Sequence, residues 1–343
     1  MTSKIMDEPN TIISYSKPKF HRRCFANLID FLLFAVVFVS LFLGVRGIVS
    51  LTPTFVSNEE KLLSIRKESG LYYVEDGKSE DMLYHLDTGN YTAYIKCVRI
   101  DEAIETFIAY LDENVSSEAS STVRKDYDSF RLDEKFSYVE GASKTPYFIQ
   151  DENDNILRNP ALNDVVTKKE YFEKVYTPFF DEHALGYLVT LVPSYLDLVR
   201  YESIMLFALE IPVAWFLAGI LVYLVPGLCF RRGHRTIGKW MYQIGLANSN
   251  LLSCSTPRFI ARWFIFFFGV LTLSIFTFGI PMIVSFTLMA FTKRKQGFPD
   301  YLLGLIEVDV GYQKLFFSFD EIVITGAGLP KKPVDFKPDD GLD

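Results

Sequence analysis

The chain has 343 residues, of which 49% are hydrophobic and 15% aromatic, with 31 Phe and 19 Tyr, and a net charge of −7. That apolar and aromatic content excludes disorder for most of the chain and points to a membrane protein. The acidic total excludes a broad nucleic-acid-binding surface, and four scattered cysteines (Cys24, Cys97, Cys229, Cys254) exclude a disulfide framework.

In chain order, residues 1–23 form a polar segment ending in Lys17, Lys19, His21, Arg22 and Arg23. Residues 24–46 are the first expected membrane span. Its first 22 residues carry one ionisable side chain, Asp30, and are long enough to cross a hydrocarbon core about 30 Å thick. The run is too long, and its polar leader too extended, for a cleavable signal peptide. Residues 47–200 hold 28 acids against 16 bases, a net charge of −12, over a length that suits one independent domain. Strand-like runs at 71–74, 91–100 and 146–149 mix with helix-like stretches at 101–113 and 168–192, so an α+β domain is expected there. Its one cysteine, Cys97, reads as a buried thiol.

Residues 203–228 are the second expected span, with Glu210 and Pro212 inside it. Residues 229–262 form a basic loop with no acid at all. The apolar block 263–292 is too long for one straight span and short for two. The break at Gly279-Ile280-Pro281 favours a hairpin of two short helices over one kinked crossing. Residues 293–343 open with Lys293, Arg294 and Lys295, and the last fourteen read as a disordered tail. Three basic clusters on one side of the bilayer need an even number of crossings between each pair, which the hairpin supplies. Basic short loops stay cytoplasmic, so both termini are expected there, with 47–200 outside. The expected fold is an α-helical polytopic membrane bundle of three to four membrane segments with an inserted extracytoplasmic α+β domain.

Ionised groups at membrane depth are costly and need partners or a use. Arg23, Ala26 and Asp30 share one helix face, with Asp30 two turns in from Arg23. Asp30 is either a functional carboxylate or an interfacial anchor. Glu210, beside a proline that frees a carbonyl, is either an ion-coupling group or an acid at the outer headgroup level.

Several short pieces then recur in order: Arg23 to Asp30, Thr236-Ile237-Gly238-Lys239, Arg258 and Arg262 ahead of the third apolar block, and Gln296-Gly297-Phe298-Pro299-Asp300. Together they resemble the RDD family of bacterial integral membrane proteins over 17–46 and 205–310, leaving the 47–200 insertion outside. The resemblance implies a multi-pass protein of the bacterial cell membrane. It maps the family's arginine and two aspartates onto Arg23, Asp30 and Asp300, with Thr236, Gly238 and Lys239 as a loop motif. His234 stands where a glycine is usual, and Leu305 where a threonine is common. The resemblance leaves the function open, with transport and cation/proton exchange among the proposed roles. Asp30 and Asp300 are expected to converge on Arg23, or on Arg258 or Arg262.

Residues 151–162 start like a calcium loop, but Ile156 replaces its glycine and Leu162 its closing glutamate. Four dispersed histidines offer no zinc site, and no nucleophile elbow or phosphate loop occurs. No enzyme, metal or cofactor is expected. Two readings remain. One is a non-catalytic scaffold or accessory subunit in the lipid bilayer, its acidic domain binding a membrane or extracytoplasmic protein partner, or a second copy. The other is a small transporter or cation/proton antiporter using Asp30, Glu210 and Asp300.

Overall fold

The computed structural model describes residues 15–152, 154–163, 165–292, 295–311 and 314–324. Lys293, Arg294 and the expected disordered tail lie outside the described residues. The chain divides into two compact units, one of residues 1–45 with 210–343, the other of residues 46–209.

Three helices are long and apolar enough to cross a membrane: Phe20–Ser50, Pro193–Cys229 and Thr256–Phe276. Between Phe31 and Val45 the first is apolar all round, with Ser40 its one polar side chain. It keeps Phe34 in the core but turns Leu32, Val36, Val39 and Leu43 outward, a face that hydrocarbon solvates and water does not. The second begins ten residues earlier than expected, at Pro193, because proline is well placed in a first helical turn. Val192, with φ −111° and ψ 89°, breaks the preceding helical stretch 168–191 from it. Phe34, Ala218, Val222, Trp263, Phe267 and Leu271 form the shared core. Gly219 permits that packing, since a Cβ there would stand 2.1 Å from the Phe267 ring. Trp263 Nε1 donates to the Gly219 carbonyl at 3.1 Å.

The third apolar block turns where glycine and proline predict, but its arms are unequal. The chain reverses at Phe278 (φ 50°) and Gly279 (φ 84°), a conformation glycine adopts at little cost. The return helix, Ile280–Phe291, has 12 residues and rises about 18 Å, well short of the hydrocarbon thickness. The block is therefore one full-length arm and one short one, rather than two short helices. Ser274 holds the turn, its Oγ donating to the Val270 carbonyl at 2.5 Å and accepting from Met282 N at 3.1 Å.

The basic stretch 229–262 is not a simple loop. It contains a short helix, Ile237–Met241, and a strand, Ile244–Ala247, which pairs antiparallel with Ile306–Asp309 beyond the return helix. That pairing brings the chain before the third helix back to the chain after the return helix. The block therefore enters and leaves at one end of the bundle.

The unit of residues 46–209 is mostly helical, with three separate antiparallel hairpins (Tyr72–Glu75 with Lys78–Asp81, Ser137–Glu140 with Ser143–Pro146, and Phe148–Gln150 with Ile156–Arg158). One continuous core, including Ile104, Phe107, Tyr127, Phe179 and Leu188, runs through it. The strand expected at 91–100 is instead the start of the helix Ala93–Asn114. Thr92 caps it, accepting from Ile95 N at 3.4 Å. Its buried Cys97, Ile100, Ile104, Phe107, Ile108 and Leu111 keep helical spacing across the point where the sequence pattern suggested a change.

Candidate functional site: a buried charge cluster

The strand register places Glu307 opposite Leu246, beneath the start of the first helix. Arg23 donates from Nε to one Glu307 oxygen, and Lys239 Nζ donates to the other at 2.7 Å. Arg262 Nη2 stands 4.0 Å from the same carboxylate. Burial opposes ionisation of Glu307, but Lys239, Arg23 and Arg262 outweigh it and hold the carboxyl well below the usual carboxylate range.

Arg262 forks onto Asp300, Nε to Oδ1 at 2.5 Å and Nη2 to Oδ2 at 3.2 Å. Such bidentate pairs fix orientation as well as charge. Asp30 takes neutral donors instead. Thr236 Oγ1 donates to Oδ2 at 2.5 Å and Gly238 N donates to Oδ1 at 2.7 Å. The loop reaches Asp30 because Gly238 has no side chain: a Cβ there would lie 2.1 Å from the Ala26 carbonyl oxygen. Arg23 also donates to the Lys295 carbonyl at 2.5 Å, and the neighbouring Arg22 bonds Asp309 and the Tyr242 carbonyl. All six charged members, Arg23, Asp30, Lys239, Arg262, Asp300 and Glu307, are buried or nearly so, and their charges balance.

The sequence-named residues thus divide. Arg23, Asp30, Thr236, Gly238, Lys239, Arg262 and Asp300 meet at one end of the bundle. Asp300 meets Arg262, one of the three arginines offered for it. Asp30 bonds neither Arg23 nor another arginine; Thr236 and Gly238, at the start of the short helix Ile237–Met241, occupy its two oxygens. Arg258 is exposed and bonds to none of the cluster. Glu210 is fully buried, 26 residues before Thr236 along the chain, and is not part of the cluster. Glu307, the acceptor for two of the three cations, was missed. A basic stretch of 35 residues without an acid (228–262) has to find its counter-charge elsewhere, and that requirement was the available signal.

The departure at His234 has a structural reading. The residue has φ 41°, the left-handed region where glycine is favoured. Its ring stacks on Phe259 at 4.7 Å between centroids, and Nδ1 lies 2.8 Å from the Gly227 carbonyl. Burial pushes its pKa down, against the backbone bonds to Gly227 and Cys254 that raise it. Burial likewise pushes the Cys254 thiol up to about 11, which removes it as a nucleophile.

A cavity of about 380 Å³ adjoins the cluster. Arg23, Asp30, Arg262, Asp300 and Glu307 line it together with apolar side chains of the first, third and return helices. Among the described residues, no group of three or more His, Cys, Asp or Glu is placed to hold a metal ion.

No curated protein and no solved structure matches the chain. The first helix, with Arg23 and Asp30, precedes the stretch that a family model covers, yet it completes the same cluster. That stretch, residues 184–304, matches the model of the RDD family, an integral membrane family, and this is the family to which the matched part of the chain is assigned.

Proposed function

We propose that this multi-pass protein is a non-catalytic scaffold or accessory subunit of the bacterial cell membrane, with its charge cluster acting as a clamp that assembles the bundle. One observation carries the reading: all three cations of the cluster are committed within it, Arg23 and Lys239 to Glu307 and Arg262 to Asp300. A group that shuttles ions has to exchange partners, whereas removing one member of a buried pair costs about 3–5 kcal/mol. In this reading both termini are cytoplasmic. Support comes from the basic start of the first helix, the 229–262 segment and the residues after the return helix, which all meet at one end. The segment 47–200, with its net charge of −12, then faces outward and binds a partner of basic surface.

The cavity beside Asp30 favours a second reading, a small transporter or cation/proton antiporter. Proton flux driven by sodium, potassium or lithium in proteoliposomes separates the two. The scaffold reading expects none from the correctly inserted wild type. Flux that is present in the wild type and absent from a folded Asp30→Asn variant replaces it with transport.

A further inference from the structure

We infer that the cavity is a binding site for an amphiphile with an ammonium head, seated with its head on Asp30 and its apolar body between the first and return helices. The cavity wall carries three carboxylates, Asp30, Asp300 and Glu307, against two guanidiniums, Arg23 and Arg262. Lys239, which would balance them, is not on that wall. Asp300 and Glu307 are bonded directly to cations, but Asp30 is held by a hydroxyl and a backbone amide only. An ionised carboxylate has about four lone-pair sites, so each of its oxygens retains acceptor capacity. Asp30 is the wall group that an added cation would complete, and a buried carboxylate without an ion pair favours such a partner.

The rest of the lining suits the body of the ligand. Asn27 and Phe31 lie four and eight residues from Arg23, on its face of the first helix. Met282, Phe286 and Met289 lie at helical spacing on the return helix. Aromatic faces attract ammonium groups, and methionine adapts to irregular apolar ligands. The volume falls within the range of small-molecule sites, roughly 300–1,000 Å³. An anion fits less well, because both guanidiniums on the wall are already engaged by carboxylates. This inference does not depend on the scaffold reading.

The test uses the full chain in nanodiscs of phosphatidylglycerol alone, titrated with radiolabelled decylammonium, with decanoate and decanol as unlabelled competitors. The expected result is saturable binding above empty discs that neither competitor displaces and that Asp30→Asn weakens about tenfold or more, the worth of a charge-assisted hydrogen bond. Asn27→Trp fills the cavity without removing a cluster bond, and it is expected to abolish the binding. That second variant decides the matter should Asp30→Asn fail to fold. Displacement by decanoate or decanol, or undiminished binding to folded Asn27→Trp, overturns the assignment. Phosphatidylethanolamine added to the discs distinguishes the sources of the ammonium. Displacement of the probe identifies an amine lipid and persistence a free organic cation, and both results keep the site.

Discussion

Arg23 and Glu307 stand 284 residues apart in the chain and share a buried ion pair. That bond latches the start of the first helix to the strand that lies beyond the return helix. Lys239 joins the same carboxylate from between the second and third helices. One acid therefore gathers three separate parts of the chain at one end of the bundle. Because it is also within 4.0 Å of Arg262, it touches the Arg262–Asp300 pair as well.

Glu307→Gln keeps the side-chain shape but removes the charge that both Arg23 and Lys239 use. Two buried cations then lose their counter-charge, a change that costs about 3–5 kcal/mol when a buried pair is broken. The expected outcome is a large fall in Tm in detergent, with reduced yield. Glu173→Gln, in the exposed pair with Lys169, is the comparison. Surface pairs contribute about 0–1 kcal/mol, so its Tm should be close to that of the wild type. Equal Tm values for the two variants would show that Glu307 does not hold the cluster.

Gly238→Ala places a methyl group 2.1 Å from the Ala26 carbonyl oxygen and 3.0 Å from Asp30 Cγ. The first obstacle is backbone inside the first helix, so it cannot swing aside. The loop has to withdraw, and Asp30 loses both donors. Gly44→Ala in the same helix meets nothing within 4 Å and gains helix propensity of up to about 1 kcal/mol. The two alanines should move Tm in opposite directions, and a neutral Gly238→Ala would mean that the close approach is not needed.

Much of the architecture was readable because hydrophobic length and turn residues are local signals. The first span, the reversal at Gly279 and the helix 168–191 all came from such patterns. The strand reading of 91–100 failed because Tyr91, Tyr94, Ile95, Val98 and Ile100 favour strands locally. The helix is decided by a core contributed from Tyr127, Phe130 and Phe179, which lie on other elements of the chain. In the site, the charged trio was legible as residue types but not as pairs. Pairing depends on the register Leu246↔Glu307, which joins segments sixty residues apart. Nothing in the spacing of Arg23 and Asp30 tells which acid each cation meets.

The two aspartates should respond differently to amidation. Asp300→Asn leaves Arg262 buried beside a neutral amide and loses one of the two fork bonds, so a large fall in Tm is expected. Asp30→Asn still offers one oxygen to Gly238 N or Thr236, and no cation is orphaned. Its expected cost is about 1–3 kcal/mol, the penalty of one unmade buried bond. Thermal melts of the two purified variants give the comparison. A larger loss for Asp30→Asn would reverse the assignment of which aspartate carries the clamp.

His234 adds a pH dependence whose direction follows from burial. The folded protein lowers its pKa below 6.5, so the neutral ring packs on Phe259 while the unfolded chain takes up a proton first. Stability from this group is present above pH 6.5 and is lost as pH falls toward the folded pKa. His234→Asn tolerates the left-handed backbone and cannot titrate. Wild type should be the more stable at pH 7.5, and its lead over the variant should shrink below about pH 6.5. The other histidines are common to both proteins and cancel in the difference. A lead that stays constant with pH would mean that the ring is accessible to protons in the folded state.

Residues 51–203 should fold when expressed without the membrane helices. Their core is continuous, with Phe179 at its centre, 4.7 Å from Tyr127 and 5.3 Å from both Phe130 and His183 between ring centroids. The ends of this fragment meet through the helices Pro53–Glu68 and Pro193–Ile204, where Arg66 lies over the Tyr195 ring at 5.9 Å. The expected product is a soluble helical monomer with one cooperative melting transition. Reducing agent should not shift that transition, because Cys97 is the fragment's single cysteine and its thiol, donating to the Lys168 carbonyl at 2.9 Å, is buried. Phe179→Ala removes the central ring and should cost about 3–5 kcal/mol, a large fraction of the roughly 5–15 kcal/mol that stabilises an ordinary domain, so its transition should fall steeply in temperature. Circular dichroism melts of the two fragments test the claim. A wild-type fragment that aggregates or melts without cooperativity would show that the unit depends on the membrane helices to fold.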